Sequence, residues 1–260
     1  MRSRTLPLAG VMLVSQGTGL VFVAVWVVAS GDGPPPVADI LPALAAGAGG
    51  AIALGAFYRA LSIGTMSIVA PISATGALVP VITGLAGGDR PGAVQVVGMA
   101  AAVVGVVLAS RESDAAQGGG AVARQSLGLA LVAALGFGLF LTLLKPASDH
   151  SVPWALLMVR LASVSVIAVT ATVFRAPVRA AFARSALPSI ALVGTLDVAA
   201  NALYALATTK GLLSIVAVLG DLYPVSTILL ARAVLRERVR RSQEAGIVAV
   251  LAGVALIAAG

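Results

Sequence analysis

The chain has 260 residues, 59% of them hydrophobic and only 10% charged, with a mean hydropathy of +1.05. A soluble domain usually carries about 25% charged residues, so seventeen basic and ten acidic side chains are too few to cover a water-facing surface of this size. That excludes an ordinary cytosolic enzyme, a nucleic-acid-binding domain and a disordered chain, and it points to a polytopic membrane protein.

Nine apolar spans follow in chain order, at 6–30, 39–61, 66–86, 93–110, 126–144, 153–173, 187–208, 213–232 and 243–259. Each is near the roughly 20 residues that cross a bilayer as a helix. None alternates as a strand of a closed barrel would. The expected fold class is therefore all-α: an integral membrane protein of nine transmembrane helices. The first span follows Arg2 and Arg4, and its apolar run exceeds the 7–15 residues of a signal h-region, so it reads as a retained helix rather than a cleaved signal. Turn chemistry separates the later spans at Gly31-Asp32-Gly33-Pro34-Pro35-Pro36 and at Gly87-Gly88-Asp89-Arg90-Pro91. The polar stretch after Ser110, with Gly118-Gly119-Gly120, reads as a flexible linker over 112–125.

The net charge of +7 collects at span ends. Counting Lys and Arg on alternate sides places thirteen on one side (Arg2, Arg4, Arg59, Arg111, Arg124, Arg175, Arg179, Arg184, Arg232, Arg236, Arg238, Arg240, Arg241) against Arg90, Lys145 and Lys210 on the other. The positive-inside bias then predicts a cytoplasmic N-terminus and a chain in the cell membrane. The Arg236–Arg241 cluster reads as a topology determinant, or as a site for anionic lipid. The chain has no cysteine and one histidine, His150, so a disulfide, a thiolate metal site and a catalytic thiol are excluded and a histidine-based metal site is disfavoured. No cofactor, metal or nucleic acid is expected. The expected partners are membrane lipids and a small-molecule substrate.

Two segments resemble each other. Ser67-Ile68-Val69-Ala70 returns as Ser214-Ile215-Val216-Ala217, 147 positions on, and Asp89-Arg90, Gln95, Gly98 and Gly105 return as Glu237-Arg238, Gln243, Gly246 and Gly253, 148 on. Spans one to four thus correspond to spans six to nine, and the loop charges of the two halves are opposed. This predicts inverted repeats, a recurrent architecture of secondary transporters. The first repeat, of four helices, is read at 1–111 and the second, of five, at 126–260. The span at 126–144 has no partner, so a tenth span before residue 1 is expected, lost to a late start codon. A true nine-span protein is the alternative.

The run from Tyr58 to Arg111 contains Y-R-A-L-S-I-G-T-M-S-I-V-A-P-I-S-A, V-P-V, G-D-R-P and Q-V-V-G. The run from Tyr204 answers it with Y-A-L-A-T-T-K-G-L-L-S-I-V-A, L-Y-P-V, L-R-E-R and Q-E-A-G. These motifs resemble the EamA-type transporters of the drug/metabolite transporter superfamily over nearly the whole chain. The resemblance implies two inverted five-helix repeats and transport rather than enzymatic catalysis. This chain departs from the pattern in having Gly88-Asp89-Arg90 where the family has Gly-Glu-Arg, and in lacking the first helix.

Ionisable residues deep in a span default to function or pairing. Arg160, Asp197 and Asp221 qualify. Asp197, Asn201, Tyr204 and Thr208 share one helix face, expected to line a water-filled cavity; a structural Arg160–Asp197 ion pair is the alternative. Gln16 holds the repeat position of Arg160, an asymmetry that slightly favours an anionic or zwitterionic substrate. Tyr223 and Pro224 follow Asp221. Pro71, Pro80 and Pro224 each remove a backbone donor and are expected to break their helices, freeing carbonyls that line a site or kinking the helix for packing. A protonatable Asp197 or Asp221 would suit proton coupling. Small-residue stripes at Gly47/Ala51/Gly55, Ala130/Ala134/Gly138 and Ala245/Ala249/Gly253 read as close helix contacts. Trp26 and Trp154 read as interface anchors. The expected function is secondary transport of a small organic metabolite or drug by alternating access. A channel or lipid flippase on the same scaffold is the alternative. An intramembrane aspartyl protease is more remote, because the motifs around Asp197 and Asp221 are incomplete.

Overall fold

A computed structural model of the chain describes residues 8–64, 66–109, 120–176, 178–182, 186–220, 222 and 241–260. The described elements are all helical: α1 Leu8–Ser30, α2 Val37–Ile63, α3 Met66–Ala74, α4 Leu78–Ala86, α5 Ala93–Ala109, α6 Gly120–Ala147, α7 Val152–Val173, α8 Leu187–Lys210, α9 Leu213–Gly220 and α10 Arg241–Ala259. With no water in a bilayer core, helices satisfy every backbone donor and acceptor within the segment, which is why so apolar a chain takes this form. Five described helices, α1, α2, α6, α7 and α8, are long and apolar enough to cross a membrane. The span expected at 213–232 begins as α9, and apart from Leu222 the rest of it lies outside the described residues. α6 starts at Gly120, inside the polar stretch read as linker.

The span expected at 66–86 is two helices joined by a 3₁₀ turn at Thr75–Ala77. Pro80 lies buried in the first turn of α4 and cannot donate to the Gly76 carbonyl, so the chain tightens there instead of continuing as α-helix. Pro71 falls inside α3, which runs without a break from Met66 to Ala74.

The chain forms two compact units, residues 1–52 with 142–210, and 53–141 with 211–260. Each draws on both halves of the sequence. In the first unit, α1 packs on α7 and α8. A Cβ on Gly47 of α2 would collide with the Val159 carbonyl of α7, and one on Gly194 of α8 would collide with the Ser15 carbonyl of α1. These are the same crossing made twice: Val159 lies 144 residues after Ser15, and Gly194 lies 147 after Gly47. The equivalence extends one turn on, where Ser163 Oγ donates to the Gly47 carbonyl at 2.8 Å and Gly19 takes the corresponding place beside Gly194.

In the second unit α5 and α10 cross in the same reciprocal way. A Cβ on Gly98 would come within 2.7 Å of the Gly253 carbonyl, and one on Gly105 within 2.7 Å of the Gly246 carbonyl. Gly98 and Gly105 are the residues that the 148-residue offset matches to Gly246 and Gly253. A contact in which i meets j′ and j meets i′ is what a two-fold relation produces. The contact stripe on α10 is therefore Gly246/Val250/Gly253; Ala245 of the expected stripe is exposed. The stripe on α6 packs as expected, with Ala130 and Ala134 buried and Gly138 closing on Gly76.

Helix ends carry the charge chemistry. Gly88, at φ 107°, closes α4, with Asp89 N–H donating back to the Gly84 carbonyl at 2.9 Å. The Asp89 carboxylate then accepts from the Ser214 N–H of α9 at 2.8 Å, capping a helix 125 residues away. Asp89→Ala should cost about 1 kcal/mol and Asp89→Asn only a few tenths, since the amide oxygen still accepts. Thermal unfolding in detergent measures both, and equal losses would show that the cap contributes nothing. At the other end of α1, Gly31 has φ 69°, and Arg175, 144 residues on, has φ 49° in the same place after α7.

Candidate functional site

The first unit brings three of the expected residues together. Gln16 is on α1, Arg160 on α7 and Asp197 on α8. Arg160 is the ninth residue of α7 and Asp197 the eleventh of α8, so each lies about 12–15 Å along its helix, near mid-span. Arg160 Nη2 pairs with Asp197 Oδ2 at 2.6 Å, and Nη1 donates to Gln16 Oε1. Gln16 and Arg160, which share a repeat position, are thus hydrogen-bonded to each other.

The burial of the group is one-sided. Arg160 is 2% exposed and Gln16 is buried, whereas the Asp197 side chain is 44% exposed. Among the described residues neither Nε nor Nη2 of Arg160 makes an aligned hydrogen bond, so Nη2 meets Asp197 as an ion pair by proximity. Taking two charges out of water costs several kcal/mol per ion, and mutual attraction repays this only with good geometry and further hydrogen bonds. Gln16 supplies one such bond. A half-exposed carboxylate at mid-span needs a polar neighbour, because lipid offers none.

Close backbone approach holds the cluster. Gly194, three residues before Asp197, lets α8 reach the Ser15 carbonyl. Gly19, three residues after Gln16, faces Val198 and the Arg160 Nε. Neither glycine was singled out in the sequence, although the spacing of three to a polar residue on one helix face was a readable signal.

The other expected residues divide. Asn201, one turn beyond Asp197, is half-buried, and Tyr204 is buried. Thr208 is 2% exposed, and its hydroxyl donates to its own helix at the Ala205 carbonyl, so the far end of the polar face packs inward. Asp221, Tyr223 and Pro224 lie outside the described residues. Trp154 donates its indole N–H to the Asp32 carbonyl at 3.0 Å, while Ser151, the N-cap of α7, donates to the Asp32 carboxylate at 2.6 Å. That contact ties the 31–36 loop to the start of α7.

The second unit holds a cavity of about 30 Å³ lined by Ala74, Ala77, Ala102, Val103, Val106 and Val218 among others. Among its described lining residues Thr75 is the one polar side chain, and its hydroxyl is bonded to the Ile72 carbonyl at 2.6 Å.

The sequence pattern of the EamA-like transporter family matches residues 125–259. No curated protein matches the chain. Among solved structures, a protein crystal structure superposes with a TM-score of 0.79 at 15% identity, over 98% of this chain and 89% of that one. At that identity the likeness is one of fold.

Proposed function

The chain belongs to the EamA-like transporter family, a multi-pass membrane transporter family of the drug/metabolite transporter superfamily, and on that premise we propose that it carries a small organic metabolite or drug across the cell membrane by alternating access. The observation that carries this reading is the Gln16–Arg160–Asp197 cluster, a charged group at mid-span with its carboxylate left half exposed. Ionisable groups at that depth mark substrate and ion pathways. Substrate sites of secondary transporters lie near the membrane midplane. The broken span at Thr75–Ala77 is a second feature of this kind.

The inverted duplication is part of the proposal. It is supported by the family match over 125–259 and by the reciprocal contacts of repeat-matched residues. The two-fold relation breaks at the cluster. Asp197 and Asn201 have Gly50 and Leu54 at their repeat positions 147 residues earlier, and Arg160 has Gln16. Charge at mid-span is thus concentrated in one half, which supports a substrate site there. A cytoplasmic N-terminus accords with the arginine count. Proton coupling remains part of the reading through Asp197 or Asp221.

Reconstituted protein should show solute uptake that saturates, with a KM in the micromolar to millimolar range usual for small-metabolite sites. Asp197→Asn should reduce it at least tenfold. Flux that rises linearly with solute concentration, with a single-channel conductance in planar bilayers, would place the protein among channels instead.

A further inference from the structure

We infer that the site recognises its ligand by a positive charge, a protonated amine seated on the open edge of Asp197, and not by an anion seated on Arg160. This deepens the transporter reading and rests on it.

Access separates the two charges. Arg160 is the one basic residue deep within a span, and read from the sequence it slightly favours an anionic or zwitterionic ligand. In the structure it is 2% exposed. Gln16 takes Nη1, Asp197 takes Nη2, and Gly19 packs near Nε. An incoming carboxylate or phosphate reaches the guanidinium only by displacing Asp197, and it then leaves that carboxylate unpaired beside a second anion. The Asp197 side chain, by contrast, is 44% exposed with Oδ2 committed to Arg160, so Oδ1 is the atom open to a ligand. A carboxylate oxygen only accepts hydrogen bonds, so the group that fits it is an N–H or O–H donor.

Arg160 does not cancel this preference. A cation on Oδ1 sits about 3 Å from the carboxylate. The guanidinium lies on the far side of that carboxylate, roughly twice as distant. Coulomb repulsion falls with distance, so it is about half the attraction in the same medium. For an anion on the same edge both signs reverse. Asn201, half-buried one turn along the same face, adds an amide that can donate or accept. The buried Arg160 is then a positioning residue, holding Asp197 in one rotamer with its free edge outward.

The test is ligand binding to the purified full chain in detergent, read as thermal stabilisation across probes that share one apolar body: hexylamine against hexanoate, and benzylamine against benzoate and benzyl phosphate. Stabilisation by the amines and not by the anions is expected, with amine affinity falling about 10- to 100-fold in Asp197→Asn. Because that variant strands a buried guanidinium, the pair Arg160→Gln/Asp197→Asn is measured beside it; it should fold as the parent does and lose amine binding to the same extent. Preference for the anions, no response to any amine, or amine binding unchanged in the double variant would overturn the inference. The transporter reading fails separately: amine binding without any saturable flux contradicts transport and leaves the polarity of the site standing, while saturable flux of anions alone does the reverse.

Discussion

Asp197→Ala should destabilise the protein on the order of 3 kcal/mol, and Arg160→Gln only about 1 kcal/mol, although both break the same ion pair. The asymmetry follows from burial. Removing Asp197 strands a guanidinium that is 2% exposed with one neutral partner, Gln16. Removing Arg160 strands a carboxylate that is 44% exposed, where solvent offsets most of the loss. For a chain of this length, 3 kcal/mol corresponds to a fall of roughly 6–12 °C in Tm. Arg160→Met with Asp197→Leu removes both charges and should unfold near the parent temperature, since an apolar replacement of a buried pair is often neutral. Thermal unfolding of the four proteins in one detergent gives the ranking. Equal losses for the two single variants would show that the pair is not buried from one side only.

Gly194→Ala and Gly47→Ala should be the most damaging glycine-to-alanine changes in the first unit, and Gly17→Ala should be neutral or stabilising. A Cβ at Gly194 runs into the Ser15 carbonyl of α1, a backbone atom that cannot swing aside, so α8 must move. Overpacking of this kind costs about 1–3 kcal/mol. The move also draws Asp197, one turn away, off Arg160, so binding should fall with stability. At Gly17 a Cβ meets nothing within 4 Å, and removing a helix glycine gains about 0.5–1 kcal/mol. Gly47→Ala, against the Val159 carbonyl, should resemble Gly194→Ala, because the two crossings are equivalent. Tm values for the three variants decide this. A Gly194→Ala protein as stable as the parent would mean the α1–α8 contact is looser than described.

Much of this was legible in the residues, and the limits have physical causes. The helical class followed from hydropathy and length alone, because lipid permits few alternatives. The 144-residue repeat offset makes Gln16 the counterpart of Arg160, and the two are bonded. The turn at Thr75–Ala77 follows from Pro80. The stripe on α10 was misread by one position, as Ala245 in place of Gly246. In a membrane helix the lipid-facing and protein-facing sides are both apolar, so periodicity carries little register information and small residues alone must supply it. Alanine and glycine lie side by side there, and only glycine permits the backbone contact. The Asp89 cap on α9 joins residues 125 positions apart, and nothing local to either predicts it. The slight preference for an anionic or zwitterionic substrate drawn from Arg160 rests on charge alone, since sequence gives the charge of a side chain and not its access.

Arg175 shows how the two halves differ. A non-glycine residue in the left-handed region costs roughly 1 kcal/mol or more, and Gly31 avoids that cost in the first half. The loop after α7 is the one expected to face the cytoplasm, where basic side chains set orientation. The second half accepts the strained backbone at Arg175 and gains a charge at the expected membrane boundary.

The central claim is that the face carrying Asp197 and Asn201 opens to water in a protein that alternates between two sides of the membrane. The chain has no cysteine, so Asn201→Cys introduces a single thiol one turn from Asp197 without further engineering. A membrane-impermeant maleimide applied to oriented vesicles from either side should label that thiol, from one side or the other in separate molecules, with Leu203→Cys, at a position 68% exposed on the apolar face, unreactive from both. Failure of Asn201→Cys to react from either side, with the protein folded, would contradict a water-accessible site on this face and the account built on it.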